Sequence, residues 1–313
     1  MKYAKPPLSL QQQADLLLSR GMQGDRALMI ARLAVVNYYR LSGYWFPFRN
    51  TDDSFKPGTA FDDVWQRYAF DRHLRLLVMD AIERIEVAVR SQLAYALAHQ
   101  SGDPFAYATD PAALPGLSAD QRLRFLEEMA EEAAHSKETF SQHFRTKYGD
   151  VHDQMPIWMA AEVMTFGCML TLFRGAHPDV RKAVAKLFNV HDNVLGSWLL
   201  ALNTVRNICA HHGRLWNREL GTKPMIPHRK HHPEWHEPLA ISNRRVFGVL
   251  TICQWCLQRI APQSRWSARM RDLLVRYPGI PLLNMGFPAD WEKCSIWTPA
   301  AQPPQPQGSG GPQ

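Results

Sequence analysis

Within eleven residues, Leu202-Asn-Thr-Val-Arg206-Asn207-Ile-Cys-Ala-His211-His212, the chain gathers a guanidinium, an amide and a pair of imidazoles. A guanidinium stays protonated and can neutralise charge developing on an anionic substrate. An imidazole titrates near neutral pH and can act as acid or base. Asn207 is placed to orient His211 or to hold an oxygen. Spacing alone says little, because 26 Arg and 13 His in 313 residues yield about one Arg-x4-His pair by chance. The same residues also fit a purely structural role, with Arg206 paired to an acid such as Glu162 and the histidines packed. Context favours chemistry: the set ends a strongly apolar stretch, Leu195, Trp198, Leu199, Leu202 and Val205, that predicts a buried helix from Asp192 onward. On a regular helix, five residues turn through about 140°, so Arg206 and His211 would not stack on one face.

Other candidates carry less. Cys253-x-x-Cys256 has no second Cys pair at zinc-like spacing and lies in an apolar helical pattern, so structural thiols are expected. His228, His231, His232 and His236 cluster in a polar stretch, 223–238, with Arg229, Lys230, Pro233 and Pro238, which reads as a mobile basic loop. No Gly-rich phosphate loop, serine nucleophile elbow or paired hydrolytic carboxylates are evident. The expectation is therefore no metal and no cofactor.

The elements that must position the motif are helical. Ser9 and Gln12 have capping-box spacing ahead of a short helix to about Arg20, and Asp25 can cap a second. An aromatic stretch follows, Tyr38-Tyr-Arg40-Leu-Ser-Gly-Tyr44-Trp45-Phe-Pro-Phe-Arg49. Its rings and arginines suit base stacking and phosphate contact; they equally suit a core plug with the arginines in water. Residues 61–98 predict the clearest helix, with Leu74, Leu77, Ala81, Ile85, Val89 and Leu93 on one stripe. Further helices are predicted from Ser118 to about His143, Trp158 to Phe173, Asp179 to Phe188, about Asn243 to Ile260, and Ser267 to Arg276. No alternating pattern is long enough to build a sheet, so the fold class is all-α.

Composition agrees with a globular chain that meets polyanions. Hydrophobic residues make up 46% and charged residues 21%, and the net charge is +7 with Arg in excess, which favours nucleic acid as a partner. No stretch reaches the roughly 18 apolar residues of a membrane span, and the N-terminus does not read as a signal peptide. Five scattered cysteines, Cys168, Cys209, Cys253, Cys256 and Cys294, suit reduced thiols and a cytoplasmic location.

Three stretches together resemble one family. Val205-Arg-Asn-Ile-Cys-Ala-His-His-Gly-Arg214-Leu-Trp-Asn217-Arg218 is similar to the signature of the Abi family, abortive-infection proteins of the AbiD/AbiF type within the HEPN superfamily of helical ribonucleases. Tyr39 to Arg49, and Phe70-Asp-Arg-x-Leu-Arg-Leu-Leu followed by Ile82 to Arg90, match in the same order, so the likeness spans about residues 5 to 220. The resemblance implies a HEPN-type helical bundle with additional N- and C-terminal helices. The chain is expected to divide into an N-terminal helical and aromatic segment (1–60), a HEPN-like domain (61–298) and a Pro-, Gln-, Gly- and Ser-rich tail (299–313) whose composition predicts disorder. The resemblance implies a metal-independent endoribonuclease that cleaves by attack of the ribose 2′-OH, with Arg206, Asn207 and His211 catalytic. One motif offers one sure imidazole for two proton transfers; a homodimer with a composite site resolves this, as does His212 within one chain. RNA contacts are expected from Arg40, Tyr44, Trp45, Arg49, Arg214, Asn217, Arg218, Arg229 and Lys230. Expected partners are RNA, as substrate and as a structured noncoding RNA, a second copy of the chain and an antitoxin, with no membrane. The rival expectation is a catalytically silent HEPN module that only binds.

Overall fold

The computed structural model describes Lys2 and residues 6–298; the tail expected to be disordered, 299–313, lies outside the described residues. Among the described residues there are thirteen α-helices and no strand, so the fold is all-α. The first is α1, Leu10–Ser19, which opens on the Ser9–Gln12 capping box, both arms of which are made. Next, α2 (Arg26–Val35) starts on the Asp25 side chain and α3 (Tyr38–Trp45) on that of Asn37.

The centre of the molecule is α4, Phe61–Ser101, 41 residues long and so about 60 Å from end to end. It ends at Gly102, whose φ of 70° is the left-handed conformation that glycine adopts freely. The stripe from Leu74 to Leu93 is buried as its period requires. Helices from both sides of the sequence pack on it: α3, then α8 (Ile157–Val163), α10 (Pro178–Leu187), α11 (Asp192–Ala210), α12 (Val246–Ile260) and α13 (Trp266–Arg276). Between them lie the short α5 (Ala106–Thr109), α6 (Ala119–His135), α7 (Thr139–Tyr148) and α9 (Phe166–Gly175). One continuous apolar cluster runs from Ala14 to Trp297, so residues 6–60 share their core with the rest of the chain. Among the described residues no helix is long and apolar enough to cross a membrane.

Two expected helices are each two. The segment after Ser118 breaks at Ser136–Glu138, where Ser136 takes an extended backbone and Arg145 donates to the carbonyls of Ala134 and Ser136. The apolar run after Trp158 breaks at Met164–Thr165, because Thr165 caps α9 through its hydroxyl and leaves the helical conformation to do so. The His-rich stretch 223–238 is a loop, but it is anchored. Trp235 is fully buried between Trp198 and Trp255, and the backbone of Met225 is held by Ser197 and Trp198. Sequence composition hides such an anchor, since one tryptophan outweighs many polar neighbours.

Candidate active site at the end of α11

α11 carries Arg206 and Asn207 on its last two turns and stops at Ala210. Its end is closed by two backbone bonds, His212 N–H to the Cys209 carbonyl (3.0 Å) and Gly213 N–H to the Ile208 carbonyl (2.7 Å). These are the paired bonds of a Schellman cap, and the left-handed position within it belongs to His212, with φ 57°. A residue other than glycine there costs about 1–2 kcal/mol. His211 is therefore the final residue before the chain turns, and both imidazoles project at the surface.

The turn beyond the helix is held from three sides. Arg40 on α3 donates to the His212 carbonyl at 2.7 Å, and Arg214 donates back to the Gly43 carbonyl of α3. Below, Asp71 of α4 is fully buried and accepts four partners: the N–H groups of Leu215 (3.1 Å) and Trp216 (2.7 Å), the Tyr44 hydroxyl (2.7 Å) and Arg75 (2.5 Å). Arg75 in turn reaches the Gly213 carbonyl at 3.4 Å. Burial pushes the Asp71 carboxyl up, while the Arg75 guanidinium, the Tyr44 hydroxyl and the two N–H donors pull it down. Burial and the Asp71 carboxylate together push the Tyr44 hydroxyl well above its ordinary value, and burial foremost pushes the Cys209 thiol up to about 12.

Arg206 makes no ion pair among the described residues; its one polar contact is the neighbouring Asn207 Oδ1 at 3.4 Å. Its charge is felt by Glu86 on α4, whose carboxyl is raised by burial and lowered by Arg90 and then Arg206. Glu162, the acid named as a structural partner for Arg206, lies exposed. The guanidinium, the Asn207 amide and the His211 imidazole are thus free to meet a ligand at one helix end.

The expected RNA-contacting residues divide. Tyr44 and Trp45 are buried, the first on Asp71 and the second edge-on against Tyr38 and Phe55, so neither presents a ring for stacking. The exposed rings of the stretch are Tyr39, beside Arg40 and 86% accessible, and Phe46. Arg214 and Arg218 are spent on carbonyls, those of Gly43 and Arg214, and Asn217 accepts from Arg245 at 3.0 Å. Arg49 pairs with Asp53 at 3.2 Å and lines a groove between α1 and α3 together with Arg20, Tyr38 and Tyr39. Arg229, paired to Glu237, and Lys230 sit on the loop packed against the opposite end of α11, away from the motif. Asp71 and Arg75 were missed as site residues. Their signal was two charges four residues apart inside the buried Phe70–Leu74–Val78 face, where a solvated pair has no place. Among the described residues no group of three or more His, Cys, Asp or Glu is gathered as a metal site needs.

Comparison with known proteins gives one family. No curated protein and no solved structure matches the chain. The family described as Abi-like protein matches residues 31–217, a span that begins in α2, takes in α4 and closes on the Asp71-bound turn after His211. That is more than half of the 313 residues, and the chain belongs to the Abi-like protein family.

Proposed function

We propose that this chain is a metal-independent endoribonuclease of the abortive-infection type, with the HEPN mechanism, acting at the end of α11. The observation that carries the reading is Arg206, without an ion pair among the described residues, beside Asn207 on the same helix end as an exposed His211. On RNA, one imidazole takes the proton from the ribose 2′-OH as its oxygen attacks the adjacent phosphorus. Arg206 stabilises the charge of the crowded intermediate. The bond to the 5′-oxygen then breaks, that oxygen receives a proton, and the products carry a 2′,3′-cyclic phosphate and a 5′-hydroxyl. A second imidazole for the second proton comes from the equivalent His211 of a second copy in a homodimer, with His212 as the alternative within one chain. Supporting this arrangement, the motif and the exposed Tyr39 and Phe46 of the α3 segment lie at the surface. RNA, with a structured noncoding RNA and an antitoxin as restraining partners, completes the reading.

Purified protein incubated with total RNA in EDTA should yield fragments with cyclic phosphate ends. His211→Ala should reduce cleavage by about 10²–10⁴-fold while RNA affinity and helicity persist. Cleavage that survives His211→Ala, or that requires a divalent ion, would refute the mechanism. RNA binding without any cleavage would instead identify a silent binding module.

A further inference from the structure

At the other end of α11, about 28 Å along its axis from His211, two hollows adjoin and share His191 and His232. The larger encloses about 680 Å³ over an apolar floor of Val194, Met225, Ile226 and Pro227, with His228 and His231 at its edge. The smaller, about 340 Å³, is flanked by Lys182 and Lys186 of α10. We propose that the joined hollow binds a nucleoside phosphate, its base on the apolar floor and its phosphate against Lys182, Lys186 and His191.

Both volumes lie in the range of small-ligand sites, and one half is apolar while the other is cationic, which is the division a nucleotide presents. The floor is built in advance. Met225 is half exposed, yet its N–H is bound by the Ser197 hydroxyl and its carbonyl by the Trp198 indole, both at 2.8 Å, so an apolar side chain is fixed facing water. The nearby acids are already answered. Asp192 is buried against Arg181 (3.3 Å) and His191 (2.9 Å), and Glu234 faces His232 at 3.3 Å. Asp179 meets Lys182 only at 3.7 Å in the open, a pairing that water and salt weaken. Lys186 makes no ion pair among the described residues.

This site stands whether or not the motif cleaves RNA, since it shares no residue with it. The nucleoside phosphate is either a free nucleotide or the end of an RNA strand. The test is calorimetric titration of the full-length protein with each ribonucleoside 5′-monophosphate, with the nucleosides, and with inorganic phosphate. At least one monophosphate should bind more tightly than its nucleoside and than phosphate. Replacing both lysines, Lys182→Ala with Lys186→Ala, should weaken that binding by about tenfold or more. Met225→Glu should weaken it comparably, and Arg206→Ala should leave it unchanged. Competition by a short single-stranded RNA would assign the ligand to an RNA end, and its failure to compete would assign a free nucleotide. Monophosphates binding no better than phosphate, binding indifferent to the lysine and methionine changes, or binding lost in Arg206→Ala would each overturn the proposal.

Discussion

The Asp71 carboxylate accepts the backbone N–H of Trp216 at 2.7 Å across 145 residues of sequence, fixing the turn that follows His211 to the first third of α4. Removing that carboxylate leaves Arg75 as a buried cation and strands two backbone donors and the Tyr44 hydroxyl. Breaking one side of such a pair costs about 3–5 kcal/mol. Asp71→Ala should lower stability by that amount, read as a shift in urea midpoint at constant slope. A loss below about 1 kcal/mol would mean that the network contributes no more than an ordinary hydrogen bond.

The left-handed backbone at His212 gives a second expectation. Glycine relieves the Cβ strain but adds freedom to the unfolded chain, so His212→Gly should leave stability unchanged or raise it by up to about 1 kcal/mol. Thermal unfolding checks this, and a clear fall in Tm would show that the imidazole itself supports the fold. Paired with a cleavage assay, the same variant decides whether His212 supplies a proton, because the cap geometry survives the change.

Glu86 gives a pH-dependent test. Burial raises its folded carboxyl above the unfolded value, with Arg90 and Arg206 opposing. For an acid raised on folding, the favourable contribution is complete below the unfolded value and is lost as pH climbs through the folded one. Wild type should therefore lose stability relative to Glu86→Gln as pH rises from about 4 upward. Urea midpoints of both proteins over that series measure the difference; a flat or opposite trend would place Glu86 as an ordinary paired carboxylate.

The five cysteines are all buried and free, and burial pushes the thiols of Cys168 and Cys209 up to about 11 and about 12. A thiol held protonated and covered reacts slowly. A disulfide reagent should titrate essentially none of them in the native protein and all five in urea. Rapid native labelling of Cys209 would show that the end of α11 opens.

The helices that the sequence predicts well are those whose apolar residues keep one period over many turns, as from Leu74 to Leu93 and from Leu195 to Val205. The break at Thr165 was hidden because its flanks are apolar on both sides and no Pro marks it; the capping hydroxyl and Gly167 two residues on are the local signs. In the motif, the residue types and their place at a helix end could be read directly. Which arginines face a ligand could not, since Arg40, Arg206 and Arg214 look alike until the carbonyls of His212 and Gly43 claim two of them. Tyr39 and Tyr44 show the same ambiguity: one is open to water and the other is tied to Asp71.

The clamp on the turn also sets an order of events during synthesis. Asp71 and Arg40 emerge from the ribosome early, but their carbonyl and amide partners at His212 to Trp216 arrive only when two thirds of the chain has been made. Until then the Asp71 carboxylate is answered only by Tyr44 and Arg75. The end of α11 is thus fixed in place only late in synthesis, once the turn it leads into can dock on α3 and α4.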